Sequence, residues 1–462
     1  MSAIFKLSTA AAAVLLAGCS MMPKYERPQA PVPGAFPYAA ATQGVPAADL
    51  GWQQFFAADA RLRGLIATAL RNNRDLRLAI LNIEQARAQY DIRRADQLPT
   101  VGAAVGGSRA PGPGGSAVSS YTAGLAFSSW EIDFFGRIAS LSEAALAQYL
   151  ATEEGRKAAQ ASLVASVATV WLNLAADEEL LALTEQTLAT REESQRLVRL
   201  RFDNGASSEI DLRLAQSLSE TARVTLAQVQ RQRALDLNTL GLLIGEPVAT
   251  DHRVGVTTAS VQLPDLPAGV PSEVLARRPD VRQAEQQLVA ANANIGAARA
   301  AFFPRISLTA GIGTASTELS GLFSGGAWGL TLAPQLLVPI FDAGRNRAGL
   351  ASAQVGRAIA VAQYERSIQS AFREVADGLA GRATLSDQVR AQATVVEAES
   401  VRLRLSQLRY DAGISSQLDL LDAQRSLFGA QQALVQTRLL RLQNQVQLYR
   451  ALGGGWTEAA AP

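Results

Sequence analysis

The chain has 462 residues, and its 43 basic and 41 acidic side chains nearly cancel, which removes the electrostatic case for nucleic acid binding. The only histidine, His252, stands alone, whereas catalytic and zinc sites need several cooperating groups. The only methionines, at positions 1, 21 and 22, are too few for a copper-binding ladder. No phosphate-binding or dinucleotide-binding motif occurs. We therefore expect a protein that is not an enzyme and that holds no metal.

The N-terminus has the pattern of a bacterial lipoprotein signal. Lys6 precedes a short apolar core at 10–16, and the segment ends with the letters LAGC at 16–19. We predict a signal peptide over 1–18 and a fatty-acylated residue, Cys19, as the start of the mature chain. This covalent lipid, of the palmitate type, would be the only cofactor-like group. Ser20 follows, which by resemblance to sorting patterns in well-studied bacteria favours the outer membrane.

Prolines dominate the next segment, 20–48, which is predicted to be an extended tether that forms no core. Farther along the chain, we expect no apolar run to approach the length of a membrane-spanning helix, so any membrane span should consist of strands.

The rest of the chain consists of two copies of one unit. Residues 69–101 correspond to 274–306 at an offset of 205, and residues 200–216 correspond to 408–424 at an offset of 208. The predicted divisions are a lipidated tether and belt segment at 19–61, a first repeat at 62–244, a linker at 245–273, a second repeat at 274–455 and a tail at 456–462.

Each repeat is predicted to contain a helix, two strands, a long helix and a shorter returning helix. The first helix, of about 35 residues, ends at Pro99 or at Pro304. The strands are expected at 100–109, 121–133, 305–314 and 328–341, the long helices at 137–204 and 345–411, and the returning helices at 207–244 and 415–452. The long helices have coiled-coil spacing, and each would span about 100 Å.

The strands alternate between apolar and small or polar residues, as in Ile306, Ser307, Leu308 and Thr309. Four strands cannot close a barrel, and open sheet edges are not tolerated in lipid. We therefore expect the chain to share a barrel with copies of itself. Three copies would give 12 strands and 12 helical rods, although the sequence alone also permits two or four.

Several motifs together resemble the outer membrane factor family, the TolC-type channels, and within it the NodT/OprM-like efflux lipoproteins. They are RRPDVRQAEQQLVAANANIGAARAAFFPRISLT at 277–309, WEIDFFGR at 130–137, PIFDAGR at 339–345 and LLDAQRSL at 420–427. The resemblance implies a homotrimer with a 12-stranded outer-membrane β-barrel, a 12-rod α-helical barrel in the periplasm and an equatorial belt. It also implies a periplasmic adaptor and a proton-driven inner-membrane transporter of the RND type as partners.

The predicted function is a passive exit duct for drugs and other small amphiphiles. The alternatives are a duct for type I protein secretion, a duct for heavy-metal efflux, and a lipid-anchored coiled-coil spacer without a pore. The alternating strands argue against the spacer, because a spacer has no use for strands that face lipid. The missing methionine ladder argues weakly against heavy metals.

Two sets of candidate site residues lie where the long helices turn back. The turns themselves, expected to contact the adaptor or transporter, contain Asp203, Asn204 and Gly205 in the first repeat and Asp411, Ala412 and Gly413 in the second. By resemblance, the second turn also closes the channel, and the matching gate residues are Arg409, Tyr410, Leu418, Asp422 and Arg425. Asp422 and Arg425 share a helix face, and Arg409 is expected within reach of that face or of a neighbouring copy.

The lipid assignment predicts the outcome of one substitution. Cys19→Ala should abolish labelling by a radioactive fatty acid, whereas the protein should still insert, because the barrel has its own affinity for the membrane. Labelling that persists in Cys19→Ala would contradict the lipoprotein assignment.

Overall fold

The computed structural model describes residues 20–38, 44–111, 117–324 and 328–456, so Cys19 lies outside the described residues. Its helices are α1 (Trp52–Phe55), α2 (Ala60–Asn72), α3 (Arg74–Ala95), α4 (Arg137–Asp203), α5 (Glu209–Ile244), α6 (Pro271–Arg277), α7 (Pro279–Ala300), α8 (Arg345–Asp411) and α9 (Gln417–Ala451), with short 3₁₀ turns at Ala47–Asp49 and Leu319–Gly321. Its strands are β1 (Gly102–Pro111), β2 (Ala117–Ile132), β3 (Arg305–Ser316) and β4 (Trp328–Leu337).

The chain divides into two compact units, and the long helices run from one into the other. The first unit contains the described residues of Met1–Gln29, together with Leu81–Glu154 and Arg282–Arg366. The second contains the described residues of Ala30–Ile80, Gly155–Val281 and Ser367–Pro462.

The four strands of the first unit form one antiparallel sheet in the order β1-β2-β3-β4. Residues directly opposite each other share a face of a sheet. The register therefore gathers apolar side chains on one face: Val105, Leu125, Phe127, Leu308, Ala310, Ile312, Leu330, Leu332 and Leu336. The other face carries small and polar residues: Ala104, Gly106, Ser108, Thr122, Gly124, Ser307, Thr309, Gly311, Thr331 and Gln335. The sheet thus has one face suited to lipid and one suited to water.

The sequence prediction missed a bulge in β2. The register shifts between Phe127 and Trp130, so two residues of β2 lie opposite Thr309 alone. Ser129 takes a φ of 53°, and its backbone N–H donates to Thr309 Oγ1 at 3.0 Å. Such an extra residue reverses the alternation of the strand. Trp130 consequently pairs with Leu308 on the apolar face, and simple period-two reasoning would have placed it on the other face.

The extended tether predicted at 20–48 lies against the protein as a strap. The prediction that this segment forms no core was wrong, because Phe36 and Ala47 are buried in the core of the second unit. Arg27 makes a bidentate ion pair with Glu285 of α7 at 2.6 and 2.7 Å, and the Tyr25 hydroxyl donates to the same carboxylate at 3.1 Å. A Cβ added to Gly296 would lie 2.8 Å from the Met22 Cα atom. The strap therefore needs a glycine in α7 to lie this close to the helix.

The second unit has one large apolar core, and its centre is α4. Trp171, Leu172 and Leu174 are all at most 1% exposed, and the Trp171 indole N–H donates to Asp59 at 2.8 Å. One 18-residue window of α4 is apolar enough to cross a membrane, but 67% of it is buried inside the protein. The expectation that no run reaches that length was therefore wrong, because this core helix meets the same criteria of length and composition.

Each predicted 35-residue helix is broken near its start. In the first repeat the break is Asn73, whose extended backbone separates α2 from α3. Its side chain accepts from the Leu76 N–H and donates to the Leu243 carbonyl, both at 2.9 Å. In the second repeat Pro279 follows Arg278, and a residue before proline avoids the helical region. The proline at 279 was the available sequence signal for this break.

The two faces of the sheet lead to a paired test of the register. An arginine at Leu308, on the apolar face, should cost roughly 2–4 kcal/mol near the membrane midplane, whereas one at Thr309 should cost much less. The yield of heat-resistant oligomer in outer membranes measures the difference. Equal assembly of Leu308→Arg and Thr309→Arg would show that the apolar face does not meet lipid.

Candidate functional site

The first hairpin, which joins α4 to α5, is shaped by a left-handed glycine and a helix cap. Gly205 has a φ of 71°, and the N–H of Ala206 donates to the Arg201 carbonyl at 2.7 Å. Together with bonds from the Asn204 and Gly205 N–H groups, they pair the carbonyls of Leu200, Arg201 and Phe202 at the end of α4. Ser208 and Asp211 then form a reciprocal capping box that begins α5. The hydrogen bond from the Ser208 hydroxyl lowers the pKa of Asp211.

The second hairpin, which joins α8 to α9, repeats this chemistry. Gly413 has a φ of 70°, and the Ile414 N–H donates to the Arg409 carbonyl at 2.9 Å. Ser416 and Asp419 form the second capping box. The six predicted contact residues, Asp203, Asn204, Gly205, Asp411, Ala412 and Gly413, are all exposed. Both turns are thus rigid and leave these six residues free to meet a partner.

Large apolar side chains surround these turns without cover from the protomer. Ile210 is 78% exposed, Ile414 is 68% exposed and Leu418 is 58% exposed. Exposed apolar groups that cluster at one place often mark an interaction surface. Leu418, predicted as part of the gate, is therefore available for contact outside its own protomer.

An ion cluster within the second hairpin joins its two helices. Asp422 of α9 accepts from Arg402 of α8 and from Arg425, each at 2.5 Å. The hydrogen bond from Arg402 is the main reason why the pKa of Asp422 is lowered. Arg402 also pairs with Glu399 at 3.1 Å. The predicted Asp422–Arg425 contact is therefore present, within a larger cluster centred on Asp422.

The expected contact of Arg409 with the Asp422 face does not occur in the protomer. Arg402 lies opposite Asp422 instead, and Arg409 makes no side-chain hydrogen bond or ion pair with the described residues. The reason is geometric, because Arg409 lies in the final turn of α8 and Arg402 lies about two turns earlier. The heptad spacing of seven residues between the two arginines was the sequence signal that could have identified Arg402.

One contact connects the two hairpins at their turns. Arg201, at the end of α4, donates from Nη1 to the Tyr410 hydroxyl of α8. Its guanidinium carbon also lies 5.4 Å from the centre of the Tyr410 ring, a cation–π distance. Sequence reasoning selected Tyr410 and missed Arg201. The signal was available, because Arg201 is the counterpart of Arg409 at the repeat offset of 208.

A separate titratable cluster lies in the core between α4 and α5. Asp177 and Asp236 are each 7% exposed, and Gln232 donates to Asp236 at 3.2 Å. Burial, followed by hydrogen bonding to Asp236 and the charge on it, raises the pKa of Asp177 to about 7. Arg233 opposes this shift and Glu178 adds to it. One of the two carboxyls therefore holds a proton near neutral pH.

This pair makes stability depend on pH in a defined direction. Because folding raises the pKa of Asp177 from 3.8 to about 7, the folded state binds the proton more tightly. The resulting stability is complete below pH 3.8 and disappears as the pH rises through 7. The contribution of this pair to the thermal unfolding midpoint, followed by circular dichroism, should therefore fall between about pH 4 and pH 7 and level off above pH 7. Asp177→Asn should flatten this slope, and the exposed Asp387→Asn should retain it. An unchanged slope in Asp177→Asn would contradict the assignment.

Comparison with known proteins identifies the family. The profile of the family described as outer membrane efflux protein matches residues 65–246 and 270–454. The toluene efflux pump outer membrane protein TtgC of Pseudomonas putida is 48% identical, with 98% of this chain and 96% of that protein covered. The antibiotic efflux pump outer membrane protein ArpC of Pseudomonas putida has the same identity and coverage.

A solved structure agrees with these relatives. The open state of the MtrE outer membrane channel of Neisseria gonorrhoeae is 42% identical, with a TM-score of 0.87, and covers 95% of this chain and 99% of that one. The predicted fold class is confirmed as a mainly helical chain that contributes strands to a trimeric channel. The predicted location in the outer membrane and the predicted role as an efflux exit duct are confirmed as well. The chain belongs to the outer membrane efflux protein family.

Proposed function

We propose that this chain is the gated outer-membrane duct of a proton-driven tripartite pump that exports drugs, solvents and other small amphiphiles. The observation that carries the proposal is the four-stranded sheet, which has one apolar face and edges at β1 and β4 that pair with no other strand among the described residues. Such a sheet becomes stable in lipid only when both edges are paired. Two further copies of the chain supply the missing strands.

The interior of the duct conducts passively. The face of the sheet assigned to the lumen carries Ser108, Thr122, Ser307 and Thr331 among glycines and alanines. Hydroxyls and small side chains hold no particular solute tightly. Selection of cargo and the supply of energy are therefore tasks of the inner-membrane transporter, proposed to be of the RND type.

Two relatives support the proposed cargo. Proteins 48% identical to this chain are named for the efflux of toluene and of antibiotics. Both cargoes are small molecules with apolar parts. We assign the same class to this duct.

The hairpin turns are proposed to receive the periplasmic adaptor. Ile210 and its repeat counterpart Leu418, at the offset of 208, are both more than half exposed, as is Ile414 beside Gly413. Three copies would present six such turns to the adaptor. A partner that covers these apolar side chains gains their burial energy, on the order of 1.5–3 kcal/mol for each fully buried side chain.

The gate is proposed to lie in the second hairpin. The ion cluster of Asp422 stiffens that hairpin internally, and the Arg201–Tyr410 contact holds it against the first hairpin. Outward movement of the second hairpin must break the contact between Arg201 and Tyr410. An exposed cation–π contact contributes roughly 0.5–1 kcal/mol, so three copies contribute about 1.5–3 kcal/mol. The differential affinity of a partner for the open state can reverse a bias of this size.

Cys19 is proposed to carry the lipid anchor, and the described strap that follows it lies near the start of β3. The strap brings Met21 to Arg299, which donates to its carbonyl at 3.4 Å. Arg299 lies at the end of α7, six residues before β3 begins at Arg305. The described strap therefore lies close to the strands proposed to face lipid, as expected for a segment that follows a lipid anchor.

The gate proposal predicts that breaking the contact between hairpins opens the channel. The double variant Arg201→Gln with Tyr410→Leu should raise the open fraction in planar bilayers about tenfold or more, because it removes three copies of the contact. Single-channel recordings of the purified trimer provide the measurement.

The matched control is Arg196→Gln, which lies five residues earlier on α4 and breaks only the exposed pair with Glu193. It should leave conductance at the wild-type level. A double variant that forms intact trimers and conducts like the wild type would refute the gate assignment. Intact trimers that form no pore in either state would refute the duct itself.

A further inference from the structure

A cavity of about 180 Å³ lies between the two hairpins of one protomer. Its wall consists of side chains of α4 between Leu183 and Arg191, of α9 between Gln424 and Gln431, and of Leu403 from α8. Arg191 is the only charged residue in this wall. The cavity therefore adjoins both hairpins, whose relative movement would open the proposed gate.

Arg191 is an unusual residue for such a wall, because it is 3% exposed. One of its terminal nitrogens donates to the Leu218 carbonyl of α5 at 2.9 Å, and its guanidinium carbon lies 5.0 Å from the centre of the Phe428 ring. The contacts of its side chain thus join α4, α5 and α9. The position of the guanidinium is fixed by these contacts and by burial.

The guanidinium lacks a counterion. Within the described residues no Asp or Glu forms an ion pair with Arg191, and its Nε atom is buried without a hydrogen-bond acceptor. Burial alone accounts for the lowered pKa of Arg191. A buried charge without a partner is costly, and proteins normally pair it.

We propose that this cavity is a binding site for a small aromatic carboxylate, held by Arg191 and stacked near Phe428. A cavity of about 150 Å³ in another protein holds one benzene molecule, so this cavity has the right size for a single ring. A carboxylate supplies the missing counterion and accepts charge-assisted hydrogen bonds from the guanidinium. Leu183, Leu403 and Leu427 provide apolar contacts for the ring.

Binding at this site connects α4 of the first hairpin to α9 of the second. A bound carboxylate strengthens the arrangement in which the hairpins lie together and opposes their separation. This consequence rests on the proposed gate, whereas the binding itself is measured without any transport assay. Failure of the binding proposal is thus distinguishable from failure of the gate proposal.

The probe is 4-fluorobenzoate, and its binding to the purified detergent-solubilised trimer is followed by fluorine NMR. Saturable binding to the wild type is expected, with affinity reduced about tenfold or more in Arg191→Gln. Uncharged 4-fluorobenzamide should bind the wild type about tenfold more weakly than 4-fluorobenzoate. Arg191→Lys should retain part of the affinity because it keeps the charge.

Two further variants keep the test decisive. Leu427→Phe should reduce binding by filling the cavity while Arg191 remains, and Arg196→Gln should bind like the wild type because its arginine is exposed and paired elsewhere. Equal binding of 4-fluorobenzoate by wild type and Arg191→Gln would overturn the proposal, as would no saturable binding below about 10 mM. Dissociation of the Arg191→Gln trimer would also overturn it, because the counterion would then be a carboxylate of a neighbouring copy.

Discussion

Backbone hydrogen bonding in lipid is the constraint on which this structure depends. The sheet has partners for every inner strand, whereas the outer edges of β1 and β4 have none in the described residues. In hydrocarbon each unpaired backbone group costs several kcal/mol. The chain must therefore meet copies of itself before its apolar face can enter a membrane. Trimerisation is a condition of folding in the membrane, and the proposed gate is an addition to it.

The internal repeat predicts how the copies meet. The β2–β3 pairing joins the first repeat to the second within one chain, and we expect β4 of one copy to pair with β1 of the next in the same way. Gly124 lies opposite Gly313 in the β2–β3 pairing. The counterpart of Gly313 in β1 is Ser108, at the offset of 205. Gly124 pairs with Ala104 of β1, and the counterpart of Ala104 in β3 is Thr309. Thr309 pairs with Ala333, so Ala333 is the counterpart of Gly124 in β4. Ser108 should thus lie opposite Ala333 of the next copy.

Sequence reasoning succeeded where a residue determines its own local geometry. Gly205, Gly413 and the two serine caps predicted the positions of both turns correctly. The long helix α8 begins and ends at the predicted residues. It failed where tertiary contacts decide, as at the bulge of Ser129 and the strap held by Glu285. The ion cluster of the second hairpin was anticipated only in part, because the partner of Asp422 depends on how α8 packs against α9. Arg191 was missed entirely, since nothing in its local sequence indicates burial.

The most direct test of the account is disulfide formation between Ser108→Cys and Ala333→Cys, introduced together in one chain. Opposed residues of antiparallel strands have Cα atoms about 4.5–5.5 Å apart, a distance that a disulfide can bridge. We predict that mild oxidation in the outer membrane yields covalent species of two and three chains and nothing larger, whereas each single variant stays monomeric on a denaturing gel. Double variants that remain single chains, or that form ladders beyond three, would contradict a barrel closed by three copies.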